Sequence, residues 1–338
     1  MARLWWAAVI ATCATVLFCA PPAAAGAGAF DLEAHRGGRG ETTEESLQAF
    51  AKSLELGVTT LELDIVLSKD AAPMVWHDPV IEPAKCADTG PAFAGDPQYP
   101  YVGKPVHELT STELHTLDCG LGLKEFPGAE VVVGNRIATL PDVLALADAY
   151  GASVRYNIET KVEAEHPELS APPAEFVDVI LGTIRRAGKT DFVQIQSFDW
   201  RTLPMVRRAE PRIPLVALWD ETTWFTGSPW LDGYDAGSGD PIAGAISVGA
   251  DVLSPGYSVP YGQTPADRDF RLIADKPFID RAHSLGLTVI PWTINDAATM
   301  NAQIDAGADG IITDYPSLLR RVMTERGMSL PVRYTKTA

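Results

Sequence analysis

Polar residues that can do chemistry interrupt or follow three short apolar runs between residues 31 and 79. The first run ends at His35 and Arg36, the second carries Glu62 and Asp64, and the third ends at His77 and Asp78. Side chains two residues apart on a strand point to the same face, so Glu62 and Asp64 form a carboxylate pair. Paired carboxylates near two histidines and an arginine predict a metal-assisted site for a phosphate group.

These residue types also have ordinary structural interpretations. Alternating acids such as Glu62 and Asp64 are most often a solvent-facing pair, and a single histidine is more often structural than catalytic. The apolar neighbours Leu61, Leu63 and Ile65 favour a buried pair instead. On residue types and spacing alone, both interpretations stay open.

The chain after residue 30 alternates short β-rich runs with helical patterns. We predict strands at 31–36, 59–67, 154–160, 192–198, 214–219, 251–254, 288–294 and 310–314, and helices at 45–56, 140–150, 174–187, 200–209, 240–248, 276–285, 296–306 and 316–325. Eight strands, each eventually followed by a helix, favour an α/β fold of the TIM (β/α)8 barrel type over an open doubly wound sheet. Active sites of such barrels lie at the C-terminal ends of the strands.

One stretch, residues 80–138, departs from the β/α alternation. It is too long for a simple loop and contains Pro, Gly and two cysteines, so we predict a subdomain inserted after the second strand, over the barrel mouth. A short helix is expected to start near Thr110 inside it. Residues 220–241 and 255–270 are predicted to be long loops at the same mouth.

Four motifs in this order make the chain resemble the glycerophosphodiester phosphodiesterase family. They are H-R-G at 35–37, E-L-D at 62–64, H-D-P at 77–79 and N-I-E-T-K at 157–161. The resemblance covers essentially the whole chain after the N-terminal segment, and the chain looks most like secreted, periplasmic-type members. It implies the same barrel and hydrolysis of a glycerophosphodiester such as glycerophosphocholine to glycerol 3-phosphate and an alcohol.

The resemblance also implies roles for individual residues. It makes His35 and His77 the general acid/base pair, which suits imidazole because it titrates near neutral pH. The expected metal ligands are Glu62, Asp64 and Glu159, and three carboxylates suit Ca²⁺ or Mg²⁺ better than zinc or copper.

Further positions are expected to contact the substrate. Arg36 and Lys161 would bind the phosphate or pair with neighbouring acids, and the two roles are compatible. Glu44 is placed beside the phosphate as a partner of Arg36. Gln196 and Trp292 would line the alcohol pocket, although Trp292 also fits simple packing at the barrel rim.

Two short segments depart from the family pattern. Thr43-Glu44-Glu45-Ser46 stands where many members have P-E-N-[ST], which leaves the geometry of the following helix start open. Ala71 replaces the usual glycine after K-D, which weakens the predicted turn but not the site.

Residues 1–29 are predicted to be a secretory signal peptide, and residues 30–338 the phosphodiesterase domain. The segment has one charge, Arg3, then an apolar run and small residues at two possible cleavage sites. The apolar run is short for a membrane span. Cys19 follows the bulky Phe18, which disfavours a lipoprotein anchor. We therefore expect a secreted or otherwise extracytoplasmic protein without stable membrane insertion after cleavage.

The composition limits the partners of the protein. There are 44 acidic and 27 basic residues, a net charge of −17 that disfavours nucleic acid and anionic membranes. A locally positive site still admits a small anionic substrate, and the sequence indicates no oligomeric state.

Two cysteines lie beyond the signal, Cys86 and Cys119, and we expect a disulfide, with two buried thiols as the alternative.

Two other functions stay open. A phospholipase D of the sphingomyelinase type, acting on lysolipids, would need an exposed apolar rim, which Trp224, Phe225 and Trp230 could supply. A non-catalytic binding protein on the same barrel would usually have lost a histidine or a metal carboxylate, and none is missing here.

Overall fold

Eleven β-strands are present in the part of the chain that the structure describes. The computed structural model describes Met1 and residues 29–237 and 239–336, so the predicted signal peptide falls outside the described residues apart from Met1 and Ala29. The strands are β1 (Asp31–Ala34), β2 (Thr60–Leu67), β3 (Pro73–Val75), β4 (Arg155–Thr160), β5 (Val193–Ser197), β6 (Leu215–Trp219), β7 (Val252–Pro255), β8 (Ser258–Val259), β9 (Arg271–Leu272), β10 (Thr288–Val289) and β11 (Gly310–Thr313).

Eight of these strands form a parallel barrel. Their order is β10-β7-β6-β5-β4-β2-β1-β11, and every neighbouring pair along it is parallel. Backbone hydrogen bonds join the two ends: Asp309 N–H donates to the Val289 carbonyl (3.0 Å), Ile312 to Pro291 (3.1 Å) and Ile294 to Ile312 (3.0 Å). This nearly closed barrel confirms the predicted TIM fold.

Helices alternate with the barrel strands, and one short helix, α2 (Ser111–Leu114), lies in the insertion. They are α1 (Leu47–Leu56), α2 (Ser111–Leu114), α3 (Leu140–Ala149), α4 (Pro173–Arg186), α5 (Thr202–Ala209), α6 (Pro241–Ser247), α7 (Lys276–Ser284), α8 (Ala297–Ala306) and α9 (Pro316–Glu325). The eight predicted helices match within two residues at each end. The predicted strand 288–294 was too long, because β10 ends at Val289 and an irregular segment carries Trp292 to the mouth.

The helix start that the sequence left open is formed by Ser46. Its hydroxyl accepts a hydrogen bond from Ala49 N–H (3.0 Å) and so caps α1. Glu45 just before it has φ 54°, a left-handed conformation that asparagine adopts more readily than glutamate. The Glu45 side chain accepts a hydrogen bond from the Asp64 backbone N–H (3.1 Å), which offsets the cost of this backbone conformation.

The barrel interior has an apolar half and a polar half. Inward-facing residues of β6, β7 and β11, with Ile290, form a buried apolar cluster: Val216, Val252, Ile290 and Ile312. Strands β1, β2, β4 and β5 instead place buried polar side chains inside: Glu33, Glu62, Asn157, Gln194 and Gln196. Since buried polar groups are stable only when hydrogen-bonded, this half must be an organised network.

The inserted segment has its own small core. It packs on the extension of β2 and on β3, where Met74, Tyr101, Leu109 and Leu117 are fully buried. The short predicted helix is α2, and Thr110 caps it. Residues 80–138 reach the loops of the mouth, where Phe126 packs on Arg39 and Tyr315, but none of them lines the cavity itself. Their core binds the β2–β3 hairpin, which holds the segment beside the mouth.

Cys86 and Cys119 form a disulfide within this insertion, across a sequence separation of 33 residues. We expect the double variant Cys86→Ser, Cys119→Ser to lose about 3–4 kcal/mol of unfolding free energy, because the crosslink restricts the unfolded chain. Urea unfolding of the oxidised, reduced and double-variant proteins would measure this difference. A double variant as stable as the oxidised protein would contradict it.

Candidate active site

A cavity of about 510 Å³ opens at the C-terminal ends of the barrel strands. It brings together eight of the residues selected from the sequence: His35, Arg36, Glu62, His77, Glu159, Lys161, Gln196 and Trp292. They come from β2 and from segments near the ends of β1, β3, β4, β5 and β10, which lie far apart in the sequence. The fold therefore assembles one site from separate motifs.

Three buried carboxylates form the negative centre of the site. One oxygen from each of Glu62, Asp64 and Glu159 lies within 4.8 Å of the others. Burial and the neighbouring Asp64 raise the pKa of Glu62 well above its ordinary value. Burial raises the pKa of Glu159 to about 7, with Lys161 opposing and Asp64 adding to the effect. Three such oxygens with no competing soft ligand fit a hard divalent cation, which would relieve this repulsion.

Two buried cations stand beside these carboxylates. Arg36 Nε lies 3.1 Å from Asp64 Oδ2, and Lys161 Nζ donates to Glu159 Oε1 (2.9 Å). Burial alone would lower the pKa of Lys161, but Glu159 and Asp64 raise it above its ordinary value. Burial would likewise raise the pKa of Asp64, yet Lys161, His77 and Arg36 lower it below its usual range. Both cations therefore stay charged at neutral pH.

Each histidine is held by its own carboxylate. His35 Nδ1 contacts Asp314 Oδ1, and His77 Nδ1 lies 2.8 Å from Asp78 Oδ1. Burial lowers the pKa of His35, with Asp314 opposing this effect, and burial together with Arg36 lowers the pKa of His77 well below its ordinary value. A carboxylate at Nδ1 keeps the proton on that nitrogen, which leaves Nε2 free to exchange a proton.

A chain of buried amides supports Glu62 from inside the barrel. Gln196 Nε2 donates to Glu62 Oε1 (2.7 Å), and Gln196 Oε1 accepts from Asn157 Nδ2 (2.8 Å). Asn157 Nδ2 also donates to Glu33 Oε2 (2.8 Å), whose other oxygen accepts from Gln194 (3.0 Å). Because Asn157 supplies hydrogens in both directions, it fixes the Gln196 amide with its NH2 group toward Glu62.

We expect Asn157→Leu to weaken divalent-cation binding by about 10–100-fold, the usual effect of losing an outer partner of a metal ligand. Titration calorimetry with Ca²⁺ and Mg²⁺ on the folded variant would measure the loss. Gln194→Leu is the matched control, since Gln194 contacts Glu33 but stands outside the path to Glu62. Equal metal affinity in the wild type and Asn157→Leu would refute this role.

Glu44, expected beside the phosphate as a partner of Arg36, is not among the residues that line the cavity. Its carboxylate instead contacts three cations, Arg36 (3.4 Å), Arg39 (2.7 Å) and Lys85 (2.6 Å). Burial alone would raise the pKa of Glu44, but these cations hold it at about 2. The expected pairing with Arg36 is present, and the carboxylate fixes the cations rather than touching the cavity.

Sequence reasoning missed several residues that complete the site. Asp314 is the last residue of the predicted strand 310–314, so the rule that placed other site residues at strand ends applied to it equally. Asp78 lies inside the H-D-P motif but received no role. Arg39 and Lys85 had no such signal, because they reach Glu44 from a turn and from the insertion.

Aromatic rings form one side of the cavity. Phe198 and Trp292 meet at right angles with ring centroids 5.3 Å apart, and Trp292 packs on Tyr261 at 5.4 Å. Trp292 Nε1–H donates to the Ser254 carbonyl (2.9 Å), so the ring lines the cavity and also packs at the rim. The contact of Trp292 with an alcohol group stays a prediction.

A parallel barrel with carboxylates, cations and carboxylate-held histidines at one mouth fits a hydrolase of phosphoric diesters. Residues 35–318 match the model of the Glycerophosphoryl diester phosphodiesterase family. The chain belongs to this family. It is therefore an enzyme, which sets aside the non-catalytic binding protein.

Individual relatives agree with this assignment. A glycerophosphodiester phosphodiesterase from Caldanaerobacter subterraneus is 26% identical over 294 residues, 87% of this chain and 98% of the relative. One from Bacillus subtilis is also 26% identical, over 86% of this chain and 85% of the relative. A solved structure from Silicibacter pomeroyi, described by the same family name, is 27% identical with a TM-score of 0.73, covering 89% of this chain and 95% of that one.

Proposed function

We propose that the enzyme hydrolyses glycerophosphodiesters such as glycerophosphocholine to glycerol 3-phosphate and the free alcohol, with a divalent cation, Ca²⁺ or Mg²⁺. The observation that carries this proposal is the assembly of three buried carboxylates, two buried cations and two carboxylate-held histidines around one cavity. Relatives named glycerophosphodiester phosphodiesterase support the substrate class.

Glu62, Asp64 and Glu159 would hold the cation, which when bound supplies positive charge to the phosphate and lowers the pKa of an attacking hydroxyl. Arg36 and Lys161 bind the phosphate oxygens and offset the negative charge that grows on them in the transition state. Their ion pairs with Asp64 and Glu159 fix both cations before the substrate arrives. Little reorganisation is then needed during the reaction.

His35 and His77 divide the two proton transfers that a phosphodiester requires. One neutral imidazole accepts the proton of the attacking oxygen at Nε2, and the other, protonated, donates a proton to the leaving alkoxide. The lowered pKa values favour the neutral, base form. The negative charge of a bound diester favours protonation of the imidazole that acts as the acid. Water and the neighbouring hydroxyl of the substrate's glycerol both meet the requirement for an attacking oxygen.

Glycerol 3-phosphate release from glycerophosphocholine tests the proposal. The purified chain lacking residues 1–29 is assayed with EDTA and after Ca²⁺ or Mg²⁺ is restored. We expect activity only with the cation present, and loss of both metal binding and activity in Glu62→Gln. Folded, metal-loaded protein that releases no glycerol 3-phosphate from any glycerophosphodiester would reject the proposed substrate class.

Lysolipid hydrolysis is the second candidate, because a human lysophospholipase D is 24% identical over 88% of this chain and 86% of the relative. The apolar rim expected for bilayer contact is smaller than the sequence suggested. Trp224 and Trp230 pack against the barrel core, and only Phe225 of the three is exposed. Choline release from lysophosphatidylcholine, together with liposome co-sedimentation, distinguishes this activity from hydrolysis of the water-soluble diester.

We also propose that the enzyme is exported from the cytoplasm. The N-terminal segment supports this, as does the disulfide between Cys86 and Cys119, since such bonds persist mainly in oxidising compartments. Cell fractionation with N-terminal sequencing of the recovered protein tests it. A cytoplasmic protein that retains its first residues would contradict the proposal.

A further inference from the structure

Four aromatic side chains form a continuous wall on one side of the cavity. They are Phe198 after β5, Tyr257 and Tyr261 after β7, and Trp292 after β10, and all four line the cavity. Ring centroids lie 5.3 Å apart for Phe198 and Trp292, 5.4 Å for Trp292 and Tyr261, and 5.4 Å for Tyr261 and Tyr257. We call these four residues the aromatic wall.

The lysine and arginine side chains that line the cavity lie on one side of it, together with the lining carboxylates Glu62, Glu159 and Asp314. The cavity-lining cations of the described chain, Arg36, Arg39 and Lys161, all come from segments after β1 and β4. The lining residues between positions 196 and 296 include no lysine or arginine, and they include the carboxylate of Asp296. With a divalent cation on Glu62, Asp64 and Glu159, one side would therefore suit an anion, whereas the other combines aromatic rings with an acidic group.

The two sides together suit a ligand that carries a negative phosphate at one end and a positive group at the other. We infer that the aromatic wall binds a quaternary ammonium group, so that the preferred substrates are glycerophosphodiesters of choline-type alcohols, an inference that rests on the proposed phosphodiesterase function. A quaternary ammonium cannot donate a hydrogen bond, and proteins recognise it by placing it against the faces of Trp, Tyr and Phe rings.

The spacing of the two sides suits such an ester. Lys161 Nζ lies 5.9 Å from the centroid of Phe198, so the phosphate-binding cations border directly on the aromatic wall. In a choline ester, two methylene groups separate the phosphate oxygen from the nitrogen. A phosphate held by Arg36 and Lys161 therefore directs its alcohol toward Phe198 and Trp292. Thr264, Thr293 and Asn295 also line this side and could bind a polyol alcohol, so the experiments below compare the two kinds of alcohol.

The decisive substrate is a neutral isostere. In the 3,3-dimethylbutyl ester of glycerol 3-phosphate, carbon replaces the choline nitrogen and the shape is kept. We expect kcat/KM for glycerophosphocholine to exceed that for this ester by about tenfold or more, the effect of a partly desolvated cation–π contact. Calorimetric binding of phosphocholine and of 3,3-dimethylbutyl phosphate to the metal-loaded enzyme should show the same preference without turnover.

Tyr261 provides a matched pair of variants, because its side chain is 40% exposed and its removal leaves the core intact. Tyr261→Leu should reduce the preference for the choline ester over its isostere, whereas Tyr261→Phe, which keeps the ring, should retain it.

Equal use of choline ester and isostere would overturn the inference in favour of a merely apolar pocket. Faster hydrolysis of the glycerol or inositol diester would overturn it in favour of a polyol site. Failure of the phosphodiesterase function itself would appear differently, as no release of glycerol 3-phosphate from any ester.

Discussion

Replacing His35 or His77 with asparagine will lower kcat for glycerophosphocholine by about 10²–10⁴-fold, the contribution of a positioned general acid or base. Asparagine keeps a polar side chain of similar reach at both positions but cannot exchange a proton near neutral pH. Because neither histidine belongs to the three-carboxylate cluster, the rise in melting temperature on adding Ca²⁺ or Mg²⁺ should persist in both variants. Steady-state kinetics and thermal unfolding on the same preparations test both halves of this expectation.

The leaving group separates the two roles. A p-nitrophenyl ester of glycerol 3-phosphate releases a weakly basic phenolate that needs no proton, so the variant lacking the general acid should recover most of its activity. The variant lacking the general base should stay impaired on this substrate. If both variants kept more than a tenth of the wild-type kcat on glycerophosphocholine, two-histidine catalysis would be refuted.

Removal of the divalent cation will destabilise the enzyme far more at pH 8 than at pH 5. Without the cation, the pKa of Glu159 is raised from 4.5 to about 7, mainly by burial, and that of Glu62 is raised as well. A carboxyl whose folded pKa is raised binds its proton more tightly in the folded state. Its favourable contribution is complete below about pH 4.5 and is lost as the pH rises through about 7.

A cation bound by these carboxylates would replace those protons, so its affinity should increase as the pH rises through 7. Thermal unfolding with EDTA or with excess Ca²⁺ from pH 5 to pH 8 measures the difference in melting temperature. We expect this difference to grow with pH in the wild type and to be smaller and flatter in Glu159→Gln. A difference independent of pH in the wild type would show that protons and cation do not compete for these carboxylates.

The fold was predictable because its signals are local and repeated. Helical spacing stands in the sequence, as do end residues such as Asp296 and Gly307 of α8, and seven of the eight barrel strands match within two residues. The exception, β10, is followed by Pro291, which cannot donate a ladder hydrogen bond. Its irregular continuation is held by contacts with β11 and with the Gly256 and Tyr257 region, which no local pattern reveals.

The site was predictable where its residues fall in motifs and not where they act through distant contacts. His35, Glu62 and Glu159 follow from the strand positions and the family resemblance. The contacts of Lys85 with Glu44 and of Tyr261 with Trp292 depend on how long loops return to the mouth. For the same reason, the sequence did not reveal that the core of the insertion packs on the β2–β3 hairpin.

The division of the barrel interior into two halves has an evolutionary consequence. Val216, Val252, Ile290 and Ile312 can exchange among aliphatic residues singly, because each change alters only volume. Glu33, Asn157, Gln194 and Gln196 depend on one another for donors and acceptors, so a single replacement leaves a buried partner unsatisfied. Descendants of this enzyme should accumulate neutral substitutions in the apolar half and change the polar half only in matched sets, which makes those four positions a joint signature of its lineage.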